Sequence, residues 1–139
     1  MVTSAGALVD GLRALGAKRI AMIAPYMKPL TKMVADYIEH EGFEVADAIA
    51  LEIPDNVEVG RRDPLALVDI YKRLDLSNVD VLVLSSCVQM PSLAAIPLVE
   101  QECGLPVTSA AVSTTYQMLN ALGLRRRAPN AGALLSGRY

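Results

Sequence analysis

The period of the apolar residues changes several times along the chain, and each change marks an element. Ser4 suits a helix cap, followed by Leu8, Leu12 and Leu15 on one face of a helix running from about Ala5 to Leu15. Gly16 stops it. The run from Arg19 to Ala24 is short, apolar and closed by Pro25, the pattern of a strand buried on both faces. Leu30, Met33, Val34, Tyr37 and Ile38 recur at helical spacing and predict an amphipathic helix from about Pro29 to His40 with these residues on one stripe. Phe43–Ile53 predicts a second strand, and Pro54–Gly60 a loop. Asp63-Pro64 pairs a good cap with the residue best suited to a first helical turn, and Leu65, Val68, Ile70, Tyr71 and Leu74 follow. Val79–Leu84 is the clearest buried strand. Pro91 then predicts a helix over Ser92 to about Glu102, Gly104–Ser109 a short fourth strand, and Ala110–Leu122 a last helix capped by Ser113. Helices alternating with strands over short links predict an α/β domain: a parallel four-stranded sheet with helices on both faces.

Composition narrows the function classes. A chain that is 53% hydrophobic and only 20% charged does not read as disordered. No uncharged apolar run approaches the ~18 residues of a membrane span. Asp10 and Arg13 interrupt the apolar N-terminal stretch, which is therefore not read as an export signal. Basic residues number 13 against 15 acidic ones, a net charge of −2, so there is no electrostatic ground for a nucleic-acid partner, and Arg125-Arg126-Arg127 alone does not create one. Neither nucleic acid nor membrane is expected as a partner. Two cysteines and one histidine exclude a disulfide framework and a thiolate zinc site, and they speak against a Ser-His-Asp triad. Sparse cysteine without an export signal leads us to expect a reducing cytoplasm.

In parallel α/β sheets, ligands lie beyond the carboxyl ends of the strands. The residues there are Tyr26 after the first strand, Asn56 after the second, and Cys87 and Val88 after the third. Tyr26 offers a hydroxyl and Asn56 an amide. Val88, with Gln89 and Ser92, offers backbone N–H groups suited to a carboxylate or enolate-like oxygen. Cys87 lies between a buried strand and the predicted helix opened by Pro91. Free N–H groups and the positive dipole end of such a helix stabilise a thiolate. An inert buried thiol is the alternative, and the residues alone leave both open. Cys103, at a helix C-terminus, reads as structural. His40, in the last turn of its helix, reads as a solvated, dipole-favoured end residue. Asp47 and Asp55 raise a phospho-acceptor reading, which fails because no acidic residue follows the first strand.

At Val2–Leu8, Ala24–Leu30, Leu51–Asn56, Ser86–Leu93 and Gly132–Gly137 the sequence resembles the maleate cis-trans isomerases, within the aspartate/glutamate/hydantoin racemase and arylmalonate decarboxylase superfamily. Cys87-Val-Gln-Met-Pro-Ser-Leu93 is the most specific stretch. The resemblance implies two similar α/β halves in the complete enzyme, each giving one cysteine to a shared cleft. It implies that residues 1–139 are the second half, with 123–139 a tail that packs on the first. It implies thiolate addition to maleate, rotation and release of fumarate, with no metal or redox cofactor. Cys87 would handle the proton, Tyr26 and Asn56 would bind substrate carboxylate oxygens, and the Val88 N–H would complete the pocket. Racemisation or decarboxylation of a related small acid is the alternative chemistry. A solitary half should expose an apolar face, so homo-oligomerisation, or a role only as an oligomerising ligand-binding domain, is also expected.

Overall fold

The computed structural model describes all 139 residues. The chain runs α1 (Ser4–Ala14), β1 (Arg19–Ala24), α2 (Lys28–His40), β2 (Glu44–Ala50), α3 (Asn56–Arg61), α4 (Leu67–Ile70, between two 3-10 turns), β3 (Val81–Ser85), α5 (Ile96–Cys103), β4 (Val107–Ser109) and α6 (Ala110–Ala121), with a last 3-10 turn at Ala133–Leu135. The four strands form one sheet in the order β2-β1-β3-β4, every pairing parallel. Helices cover both faces, as the sequence pattern requires.

The central strands divide their side chains by the two-residue period of an extended chain. Ile20, Met22, Ala24, Val81 and Val83 pack with Leu8, Val9 and Leu12 of α1, Ile38 of α2 and Phe43. Ala21, Ile23, Leu82 and Leu84 face the other way, onto Leu67, Ile70, Ile96 and Val99. Ala131, Leu134 and Leu135, within the segment 123–139, are buried in that second cluster. Glu100 holds them there: its Oε2 accepts the N–H groups of Val107 and Ala133, each at 2.9 Å.

Several local expectations are corrected. Thr3, not Ser4, caps α1, accepting the Gly6 N–H at 3.2 Å. Ser109, not Ser113, caps α6, accepting the Val112 N–H at 3.1 Å. Ser113 is instead fully buried where α6 crosses α1 at Gly11, its hydroxyl 3.1 Å from that of Thr108. The supposed loop Pro54–Gly60 contains α3, because the Asp55 carboxylate accepts the Val57 N–H at 2.9 Å and starts a turn. The helix expected from Ser92 begins at Ile96. Pro97 tolerates only a first turn, and a start at Ser92 would have placed it in the interior. The α2 stripe is not all core: Ile38 is buried while Leu30, Met33 and Tyr37 are exposed. This helix lies over β2, the edge strand, beyond which no sheet remains to cover.

No helix is long and apolar enough to cross a membrane.

Candidate functional site at the β1–β3 switch

Strand order makes one crevice. From β1 the chain moves outward to β2, then returns across the sheet to β3 on the other side of β1. The ends of β1 and β3 therefore border the switch point, where the flanking connections diverge. Tyr26 lies two residues past β1 and Cys87 two past β3. The Ser86 N–H donates to the Ile23 carbonyl at 3.0 Å, which carries the pairing of these strands beyond their ends.

The segment after β2 is drawn to the same place. Leu51 donates its N–H to the Ala24 carbonyl at 2.8 Å, Ile53 to Pro25 at 2.9 Å and Glu52 to Tyr26 at 3.1 Å. Glu52 adopts a left-handed conformation (φ 56°) to do so. This arm leads into Asn56, the first residue of α3. The Asn56 carbonyl accepts Gln89 Nε2 at 2.6 Å, so the arm is tied to the Cys87 loop. The Asn56 side chain is exposed.

Tyr26 and Cys87 are neighbours at the ends of the paired strands β1 and β3. Burial first, and then the thiol beside it, push the Tyr26 hydroxyl well above the ordinary phenol range. The phenol is thus a neutral donor at any working pH, and an ionised thiol is its natural acceptor. Cys87 is half-buried and unpaired. Its expected place at a helix start is corrected: α5 begins only at Ile96, nine residues on, so the N-terminus of α5 does not hold the thiol. The polar surroundings come from the loop itself. The Val88 N–H has no acceptor within the chain and remains available to an anion.

Two hollows border the residues on either side of Cys87, which itself lines neither. A cavity of ≈ 280 Å³ between α1 and α2 is lined by Leu8, Tyr26, Leu30, Met33, Tyr37 and Ser86 among others. A larger apolar groove of ≈ 770 Å³ runs between the loop 88–94, the start of α6 and residues 128–131. Val88 borders that groove; Tyr26, Asn56 and Cys87 do not. The four candidate residues thus comprise two neighbours at the switch point, Tyr26 and Cys87, an arm tethered through its backbone, and a loop residue bordering the larger groove.

Side chains that the sequence reading passed over hold this arrangement. Ser85 is fully buried, and its hydroxyl donates to the Cys87 carbonyl at 2.7 Å and accepts the Cys87 N–H at 3.3 Å. Ser85 ends an apolar strand two residues before a cysteine, the one signal that could have marked it. Gln89 was noted only for its backbone. Cys103 closes α5 before Gly104; burial raises its thiol above the ordinary range. No group of three or more His, Cys, Asp or Glu side chains is arranged to hold a metal.

Residues 1–135 match the family model of arylmalonate decarboxylase. The chain is 62% identical over all 139 residues to a maleate isomerase of Geobacillus stearothermophilus, covering 55% of that protein. It is 59% identical over 139 residues to one of Pseudomonas putida, covering 56%. It therefore spans about half the length of the curated relatives it matches. Among solved structures, a C-to-A variant of a Pseudomonas putida S16 maleate isomerase with maleate matches with a TM-score of 0.97 and 58% identity, over 99% of this chain and 55% of that one. A C-to-S mutant of the Nocardia farcinica maleate cis-trans isomerase, with a covalently bound succinylcysteine intermediate, matches with a TM-score of 0.92 and 50% identity, over 95% of this chain and 54% of that one. Arylmalonate decarboxylase itself matches with a TM-score of 0.84 and 28% identity, over 96% and 59%.

Proposed function

Because the chain belongs to the arylmalonate decarboxylase family, we propose that it is the second half of a maleate cis-trans isomerase and supplies one of two cysteines to a shared cleft. The observation that supports this reading is the placement of Tyr26 and Cys87 just beyond the carboxyl ends of the adjacent strands β1 and β3, at the switch point. The chain around that pair is 62% identical to a maleate isomerase.

The chemistry needs few parts. A thiolate adds to one olefinic carbon of maleate, and the electron pair moves onto the adjacent carboxylate as an enolate-like dianion. The former double bond is now single and rotates. Return of the electron pair expels the thiolate and leaves fumarate. A succinyl adduct forms when the intermediate carbanion takes a proton. The Nocardia farcinica C-to-S mutant still carries a succinylcysteine, so a cysteine other than the replaced one bears that adduct. This supports a division of labour between two thiols. Cys87 is assigned the proton-handling role: its S–H gives the carbanion a proton to form the succinyl adduct, and after rotation its thiolate takes that proton back as the C–S bond breaks. Tyr26, a neutral donor, and the Asn56 amide bind carboxylate oxygens, and the free Val88 N–H takes a share of the developing charge. The first-half cysteine is the nucleophile, so the 139 residues alone are a poor isomerase.

The test is maleate-to-fumarate conversion by the full-length protein carrying Cys87→Ser. Turnover should fall by at least about a hundredfold, the scale of a lost acid–base group; undiminished turnover removes Cys87 from the mechanism. A related decarboxylation or racemisation is the second reading, favoured by 30% identity to an arylmalonate decarboxylase over 122 residues. Activity on an arylmalonate or an amino acid with none on maleate would select it. Exposed Met27, just before α2, and Leu30 and Met33 on it support self-association; light scattering of a monomer at every concentration would remove that part.

A further inference from the structure

The Cys87 loop lacks a helix start to stiffen it, yet it is tied on both sides of the cysteine. On one side the buried Ser85 hydroxyl closes on the N–H and the carbonyl of Cys87 itself, at 3.3 and 2.7 Å. A single hydroxyl that engages both backbone groups of one residue restricts the dihedrals on either side of its Cα, and so the direction of the thiol. On the other side Gln89 reaches out of the loop to the Asn56 carbonyl at 2.6 Å. Its side chain lies along α3, 3.8 Å from where a Cβ on Gly60 would stand. Gln89 is exposed, so this bond contributes little to folding but sets the gap between two loops.

We propose that Ser85 and Gln89 are positioning residues with separate duties: Ser85 aims the Cys87 thiol at Tyr26, and Gln89 fixes the distance from the Cys87 loop to the Asn56 arm. The inference rests on the proposed function, in which Cys87 and Asn56 face one substrate. Loss of Ser85 then impairs the chemical step, because the thiol no longer meets its donor. Loss of Gln89 impairs substrate binding, because the two walls of the pocket drift apart.

Iodoacetamide alkylation of the folded chain, with the modified peptides quantified by mass spectrometry, reads the first duty without any substrate. The half-buried Cys103 is the internal reference. Ser85→Ala should lower the Cys87 rate about tenfold relative to Cys103, and Ser85→Thr, which keeps the hydroxyl, should restore it. Gln89→Glu, of the same shape but without the donor, should leave that ratio within about twofold. In maleate turnover by the full-length protein, Ser85→Ala should lower kcat about tenfold with KM nearly unchanged. Gln89→Glu should raise KM about fivefold with kcat nearly unchanged. A Cys87:Cys103 ratio unaffected by Ser85→Ala, or an unaltered KM in Gln89→Glu, overturns the inference while leaving Cys87 in the mechanism. If Ser85→Ala unfolds the chain, seen as a rise in Cys103 labelling, the KM of the surface variant Gln89→Glu decides. A Cys87 no more reactive than Cys103 in the unaltered chain overturns the proposed function and this inference together.

Discussion

Tyr26→Phe removes one oxygen and leaves the ring. The structure sets what that oxygen does. The phenol is half-buried and shares its environment with the Cys87 thiol; burial and the thiol both raise its pKa above the ordinary value of 10.0. It therefore stays protonated across neutral and mildly alkaline pH, and what it offers is a hydrogen bond to an anion, either the thiolate or a substrate carboxylate. A hydrogen bond to a charged group contributes about 1.5–3 kcal/mol. If it is made fully in the transition state, its loss lowers turnover by about 10- to 150-fold. The fold should barely notice, because the ring still lines the cavity between α1 and α2, and stability should change by less than about 1 kcal/mol. The assay is the initial rate of fumarate formation by the full-length protein, wild type against Tyr26→Phe, from pH 6 to 9. The sign of the pKa shift makes a second demand. A phenol lifted above its ordinary value does not ionise in this window, so the rate ratio should be constant. A ratio that shrinks toward pH 9 would mean that the phenol is losing its proton and that the donor argument fails. An unchanged rate throughout would remove Tyr26 from the site.

Other outcomes test the scaffold. Gly132 has φ 87°, and a Cβ there would stand 2.7 Å from the Val107 carbonyl oxygen and 2.8 Å from Ile96 Cγ2; Gly132→Ala should destabilise by about 2–4 kcal/mol in urea unfolding, since backbone and core must both shift. Glu100→Gln weakens two hydrogen bonds, to Val107 and Ala133, and should raise amide exchange in β4 and in residues 131–135 before the rest of the sheet. Asp80 accepts the N–H groups of Lys18 and Arg19, each at 2.9 Å, and these hold its carboxyl below the ordinary value of 3.8. A depressed carboxyl contributes stability above the unfolded value and loses it as pH falls through the folded one. Asp80→Asn should therefore be less stable by up to about 1 kcal/mol at pH 7, with the gap closing below pH 3.8; a gap that persists in acid would contradict the assignment.

The sheet was legible because its signal is local. A buried parallel strand must be apolar on both faces, and Arg19–Ala24 and Val81–Ser85 are. The candidate positions followed from that, since Tyr26 and Cys87 simply come next in the chain. Helix starts were less legible, because capping depends on which hydroxyl meets an N–H. Thr3 and Ser4 are chemically near-equivalent, and the backbone chose Thr3. The start of α5 was misread because two prolines compete, and only the one at position 97 lies inside the helix it begins. The exposed stripe on α2 was invisible for another reason: periodicity reports that a helix has an apolar face, not whether enough sheet lies beneath it.

By itself, then, the order of residues determined an alternating α/β chain, its four strands and the residues at their ends, since strand burial and helical period are written in neighbours a few positions apart. Tertiary structure alone decided that β1 and β3 lie side by side. That adjacency brings Tyr26 and Cys87 to one crevice, and the return of the β2 arm to it lets Gln89 reach the Asn56 carbonyl. These contacts join segments far apart in sequence, and strand order, which no local pattern encodes, is what joins them.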